Sequence, residues 1–409
     1  MDKGMAFRFS RTTWMSLYAP ALLLAASNGL VVPALPVLAH SLSTSFALGA
    51  LALASLLLGS ALAAIPTGYM LDSSLGRRGV TITGLFLVAL SGLLMMSAKS
   101  FPELILYQLL AGWGSQMWML GRLTLIGVQS KVNERGRQIS GMIGMEQMGT
   151  LLGPAIGGGI TASFGASATF GVRGALCLAA ALMVFFATRS PAKEQHQPKI
   201  DRGERKTMSL VQMLKTPPLL KLTGLQLVVS LARGSIFSGT FDLYLVYAYG
   251  VGPSTIGILR SVIGAVCLPI TFWAGHAMDR FGRKSTIIPG FALVAIGLLA
   301  MAVVSGLGMP FQYFAGCLVI VHMSISLTAG SMQTLGIDLA PPEWSGRFLG
   351  FLRLGTEFGH FMSPMAFALV AKGLGYSAAF TFLSLTGASV SLIVAKAKWF
   401  PEKRPPNGK

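Results

Sequence analysis

The chain has 409 residues, 53% of them hydrophobic and only 11% charged, with a mean hydropathy of +0.66. A soluble domain carries about 25% charged residues, so this composition excludes an ordinary cytosolic enzyme, a secreted domain and a disordered chain, and leaves a polytopic membrane protein. The net charge of +18 would suggest nucleic acid in a soluble chain, but here the basic residues fall in short tracts between long apolar runs, which points to membrane topology instead.

From Thr12 to Leu71 there is no Asp, Glu, Lys or Arg. As one helix this run would be about 90 Å long, about three times a bilayer core, so it must fold back. Pro33, Pro36 and the polar stretch from His40 to Ser45 mark the turn and give predicted spans at 14–38 and 46–70. Further spans follow at 79–98, 103–128, 140–163 and 170–188. The one long charged segment comes next and reads as a cytoplasmic linker at 191–216. Six more spans follow at 218–249, 254–277, 286–306, 311–337, 347–371 and 376–396. Each must be helical, because lipid offers the backbone no hydrogen-bond partner.

Alternate loops carry most of the 32 Lys and Arg, which places both termini in the cytoplasm. Lys99, Arg173 and Lys372 fall at outer loops or outer helix ends. The surplus basic charge is expected to meet anionic lipid headgroups, not nucleic acid. Cys177, Cys267 and Cys317 all sit in apolar runs without CxxC spacing. Neither a disulfide framework nor a metal site is indicated.

The two halves echo each other. GYMLDSSLGRR, with Gly68, Asp72, Gly76 and Arg77, joins spans 2 and 3. GHAMDRFGRK, with Gly275, Asp279, Arg280, Gly282 and Arg283, joins spans 8 and 9. Gly136 has its counterpart in Gly346, and Gly153-Pro154 in Ser363-Pro364, so corresponding positions lie 207 to 210 residues apart. Span 5 carries GTLLGPAIGG, with Gly149, Gly153, Pro154, Gly157 and Gly158. The first three of those glycines recur every four residues, on one helix face, where they allow close backbone approach.

These motifs resemble the major facilitator superfamily, and the resemblance covers the whole chain. GHAMDRFGRK matches the family's inner-loop signature G-x-x-x-D-[RK]-x-G-[RK]-[RK] throughout; the first copy spaces Asp72 and Gly76 differently. GTLLGPAIGG is similar to the G-x-x-x-G-P-x-x-G-G signature of its exporters and antiporters. The fold this implies is an all-α membrane protein of twelve transmembrane helices. It forms two six-helix bundles related by pseudo-two-fold symmetry, with boundaries at 1–190 and 217–409. Where many drug–proton antiporters of this superfamily place an Arg four residues before a Gly in span 4, this chain has Gln108 before Gly112.

Seven charged residues lie inside predicted spans: Arg122, Glu146, Arg233, Asp242, Arg260, Arg353 and Glu357. A charge in a bilayer must face a cavity or a partner. Matching depth pairs Arg122 with Glu146 and Asp242 with Arg260, while Arg353 and Glu357 share a face at i,i+4. Glu146, Glu357 and Asp242 are therefore candidates for proton coupling, with structural ion pairs as the competing reading. Arg233 has no acid at i±3 or i±4 and would attract an anionic substrate unless it pairs at long range. Arg122, Arg260 and Arg353 join it as binding or gating candidates. Asn28, Trp113, Gln116 and His360 are polar or aromatic candidates for the pocket, as are Trp118, Gln147, Gln226, His322 and Gln333.

The expected function is secondary active transport by alternating access, as export of a small organic compound or drug in exchange for protons. The proton gradient would supply the energy and no cofactor is expected. The same residues also fit a proton-coupled importer of a small organic anion, such as a siderophore-like metabolite, or an uncoupled uniporter or sensor. No GxxxxGK[ST] loop occurs, so ATP is not the fuel, and no enzyme is expected. The family's usual form is a monomer in the cytoplasmic membrane.

Overall fold

The computed structural model describes residues 14–43, 45–71, 76–129, 132–187, 217–328, 331 and 345–397, and the side chains of all of these but 123–129, 132–140, 217–219, 279 and 345–351. Among the described residues every regular element is helical. The linker expected at 191–216 lies outside them, as do Asp72 and the side chain of Asp279.

Helix α1 runs over Trp14–Leu42, opening with a π turn at Trp14–Tyr18. Helices α2 (Phe46–Leu71), α3 (Gly76–Met95) and α4 (Phe101–Gln129) follow. Two spans expected at 140–163 and 170–188 form one helical stretch, Val132–Ala187, broken at Gly165 (φ 84°, ψ 166°). Its halves are α5 (132–164) and α6 (166–187). Gly supplies this backbone conformation without the Cβ clash of other residues, so a single residue reverses the chain where a loop was expected.

In the second half, α7 is discontinuous: Pro217–Phe237 and Thr240–Tyr249 meet at a break where Gly239 is left-handed (φ 82°). Then come α8 (Pro253–Phe281), α9 (Lys284–Gly306), α10 (Phe311–Ser326), α11 (Ser345–Leu374) and α12 (Tyr376–Lys396). The predicted tenth span reached 337, and most of its last part lies outside the described residues.

Each half packs on itself, α1 along α5 and α7 along α11, and the halves meet mainly through α2 with α11 and α5 with α8. The glycines of α5 set the first of these contacts. A Cβ at Gly149, Gly153 or Gly157 would come within 3.0 Å of the α1 backbone at Ala26 or Leu30. Gly158 and Gly257 do the same between α5 and α8, against Pro253 and Pro154. In the second half Gly234 of α7 meets Ser363 of α11, where Ser363 Oγ accepts the Ser235 N–H (2.8 Å).

Pro154 bends α5, since it has no N–H to donate. Ser261 of α8 enters at that bend. Its Oγ donates to the Leu151 carbonyl (2.6 Å) and accepts the Ala155 N–H (3.1 Å), two groups that an unbroken helix joins to each other. The two halves are thus stitched at the bend.

One end of the bundle is closed by aromatic packing between the halves. Phe46, at the start of α2, meets Tyr247 of α7, Phe367 of α11 and Tyr376 of α12 with ring centroids 5.2–5.8 Å apart. Tyr247 also donates to the Ser43 carbonyl and stacks edge-on against His40 at 4.5 Å. This is the end at which α1 ends and α2 begins, outer in the predicted topology.

A Gly157→Ala substitution is expected to lower the thermal unfolding midpoint in detergent, at a cost of about 1–3 kcal/mol from overpacking. Gly159→Ala, two residues on and with nothing within 4 Å, should leave the midpoint unchanged or raise it. Equal effects at both positions would contradict the close-packing role.

Candidate functional site

Between the halves lies a cavity of about 660 Å³, lined by α1, α2, α4, α5 and α6 from one side and α7, α8 and α10 from the other. That volume suits a small organic molecule. Seven helical stretches among the described residues are long and apolar enough to cross a membrane. α4, α7, α10 and α11 are not among them. α4, α7 and α11 are the elements that carry Gln108, Gln116 and Arg122, then Arg233 and Asp242, then Arg353, Glu357 and His360.

Asp242 and Arg260 form the best-defined polar group on the cavity wall. Asp242 is fully buried (0% exposed). Arg260 grips it through Nε (2.7 and 2.9 Å) and Nη2 (2.7 Å). Arg260 Nη1 donates to His322 Nε2 (2.5 Å), while His322 Nδ1 donates to the Leu318 carbonyl (2.9 Å). These partners require a neutral imidazole with its proton on Nδ1. The break in α7 contributes too: Asp242 falls in the first turn of the helix that restarts after Gly239, where a carboxylate meets the positive end of the helix dipole.

The other two expected ion pairs also form. Arg122 of α4 pairs with Glu146 of α5, and Arg122 lies over the Trp118 ring. Arg353 and Glu357 pair along α11 at 3.2 Å. Arg353 Nη2 reaches across to Met119 Sδ of α4 (3.2 Å), so this contact bridges the halves. Neither of these pairs lines the cavity; nor do Trp113, Gln116 and His360. Gln116 is buried in α4, and His360 packs near the Phe237 ring at 6.3 Å. Asn28 and Gln147 do line it, as do Arg233, Asp242, Arg260 and His322.

Two cavity residues were not anticipated as such. Arg173 reads from sequence as an outer helix end, yet it is buried at the cavity wall (1% exposed), its Nη1 4.0 Å from Met95 Sδ. Gln108 is fully buried at the wall (0% exposed), and neither amide atom has a hydrogen-bond partner among the described residues. The missing arginine in span 4 was the sequence signal at Gln108; nothing in the sequence marked Arg173, because its depth depends on the tight reversal at Gly165.

The loop motifs lie away from the cavity. Arg78 donates to the Phe185 carbonyl (2.9 Å) and lies over the Phe185 ring. Gly76 and Gly282 take positive φ (61° and 83°), as a turn between helices requires. Arg280 lies over Phe281, and Lys284 donates to the Ala397 carbonyl (2.7 Å). Gly68 and Gly275 have open space where a Cβ would go, so close packing does not explain either.

This arrangement, paired helical halves around a central cavity, is that of a membrane transporter. The sequence matches the family model described as Major Facilitator Superfamily over residues 20–241 and 223–409, and the chain belongs to that family. It is 25% identical over 386 residues to the multidrug resistance protein MdtG of Yersinia enterocolitica, covering 90% of this chain and 87% of the relative. It is 29% identical over 371 residues to the quinolone resistance protein NorA of Staphylococcus aureus, covering 86% of this chain and 92% of the relative. The crystal structure of a D-xylose–proton symporter superposes with a TM-score of 0.75 over 96% of this chain and 97% of the other, at 16% identity, and so shares its fold. The protein is a multi-pass membrane transporter, not an enzyme.

Asp242→Asn leaves Arg260 buried and unpaired, which is expected to destabilise the protein by about 3–5 kcal/mol. Adding Arg260→Gln should recover most of that loss. Chemical unfolding in detergent checks both; strictly additive costs would show that the two side chains are not a unit.

Proposed function

We propose that the protein is a proton-coupled exporter of small organic compounds, working by alternating access to the central cavity. The observation that carries this reading is Asp242, a fully buried carboxylate on the cavity wall bound by Arg260. A proton arriving at Asp242 removes the charge that holds Arg260 and frees the Arg260–His322 link to rearrange. Glu146 and Glu357, each held by one arginine, offer the same chemistry beside the cavity. Substrate and proton then occupy the site in turn. Inward movement of one proton across 100 mV supplies about 2.3 kcal/mol, before any pH gradient.

Export is supported by the intact GTLLGPAIGG motif of α5, which packs this helix on α1 and on α8 of the other half. It is supported also by relatives named for resistance to several drugs and to quinolones. The setting we propose is a monomer in the cytoplasmic membrane with both termini inside, divided at 1–190 and 217–409, its basic loops against anionic lipid. No cofactor enters this reading; the proton gradient is the fuel.

The test uses purified protein in liposomes with an internal pH dye and three probes: a quinolone, a lipophilic cation and xylose. Proton movement opposite to probe flux is expected, lost in Asp242→Asn and reduced in Glu146→Gln or Glu357→Gln. Movement of both in one direction would make the protein a symporter. Probe flux without a proton signal would reduce the three carboxylates to structural partners.

A further inference from the structure

Three ion pairs consume Glu146, Asp242 and Glu357. Two arginines at the cavity are left over. Arg173 and Arg233 pair with no acid among the described residues, and the Nε of each has no hydrogen-bond partner. Arg233 lies over the Phe237 ring, 5.1 Å from its centroid. Burying a guanidinium without a counter-charge costs several kcal/mol, so a cavity built with two of them awaits an anion.

The layout is more specific than a charge excess. Gln108 on α4, Arg173 on α6, and Asp242 with Arg260 on α7 and α8 lie at one level, each about 10 Å along its helix from the closed end. One wall of that level is neutralised within itself by the Asp242–Arg260 pair. The opposite wall presents a buried guanidinium, which meets no acid and touches only Met95 Sδ at 4.0 Å, and a buried primary amide with no hydrogen-bond partner among the described residues. Guanidinium and amide N–H groups together match the two oxygens of a carboxylate or similar oxyanion. Between the walls the lining is apolar, with Val31, Leu35, Leu53, Ile236 and Ile263.

We infer that the cavity binds amphiphilic organic anions: an oxyanion group held by Arg173 and Gln108, drawn in by Arg233, on an apolar body that fills the rest. This rests on the export reading for its direction but not for its chemistry. A lipophilic cation meets no free carboxylate at this site among the described residues. Outward movement of an anion and inward movement of a proton would both run with a membrane potential that is negative inside.

Three probes sharing one naphthalene body separate charge from shape: naphthalene-2-carboxylate, naphthalene-2-carboxamide and 2-naphthyltrimethylammonium, titrated calorimetrically into the purified full chain. The carboxylate is expected to bind at least about tenfold tighter than the amide, the worth of a charged hydrogen bond, and tighter still than the cation. Arg173→Gln and Arg233→Gln should each weaken carboxylate binding enough to erase that preference. Arg173→Lys should restore part of it. Because Arg173 is an unpaired buried charge, Arg173→Gln should not lower the thermal midpoint, which separates loss of binding from loss of fold. A carboxylate that binds no better than the amide in the wild type, absence of carboxylate binding included, overturns the inference, as does a preference that survives both Gln variants. The same probes in liposomes keep the two readings apart. Proton exchange with the cation alone would leave export standing without the anion site, whereas carboxylate binding without proton exchange would do the reverse.

Discussion

Charge in the membrane core must be neutralised or given a polar cavity, because the hydrocarbon offers neither counter-ions nor water. The architecture around the cavity follows from that constraint. Arg122 with Glu146, Asp242 with Arg260, and Arg353 with Glu357 are all made between or along helices that the charges help to hold in place. In the proposed coupling, one proton on a carboxylate strands its arginine.

The backbone obeys a parallel rule. Inside lipid it must hydrogen-bond to itself, and breaks are tolerated only where protein or a cavity supplies the partners. The break at Gly239 opens onto the cavity beside Asp242. The bend at Pro154 is met by Ser261 from the opposite half. Close packing then depends on small residues: Gly153 against Gly29 in the first half, Gly234 against Ser363 in the second. The closed end relies instead on rings, with Phe46 and Tyr247 joining halves that share no charge pair there among the described residues. Edge-on aromatic pairs contribute about 0.5–1.5 kcal/mol each, strong enough to close an end and weak enough to open.

Much of this was legible in the sequence. Apolar runs and the basic tracts between them located the helices, and the internal echo paired α5 with α11. Depth along each span sufficed to match Arg122 with Glu146 and Asp242 with Arg260, because helical rise converts residue number directly into height, and i,i+4 spacing matched Arg353 with Glu357. What depth does not give is azimuth. Trp113, Gln116 and His360 sit on polar-bearing helices but face away from the cavity, while Gln108, on the same helix as Trp113 and Gln116, lines it. Arg173 was misjudged because an arginine near a span's end reads as a surface charge; the reversal at Gly165 instead tucks it under α3, next to Met95. The interruption of α7 carried no proline to announce it, only Gly239 between Ser238 and Thr240.

The claim on which the rest depends is that the cavity opens to one side of the membrane at a time. Cys267 lines it and reports access directly. In a chain whose other two cysteines are replaced by alanine, a membrane-impermeant thiol reagent should label Cys267 from one face of oriented vesicles only, the face opposite the Phe46–Tyr247 closure, and an imposed proton gradient should shift labelling toward the other face. Simultaneous labelling from both faces would describe a channel and contradict the account.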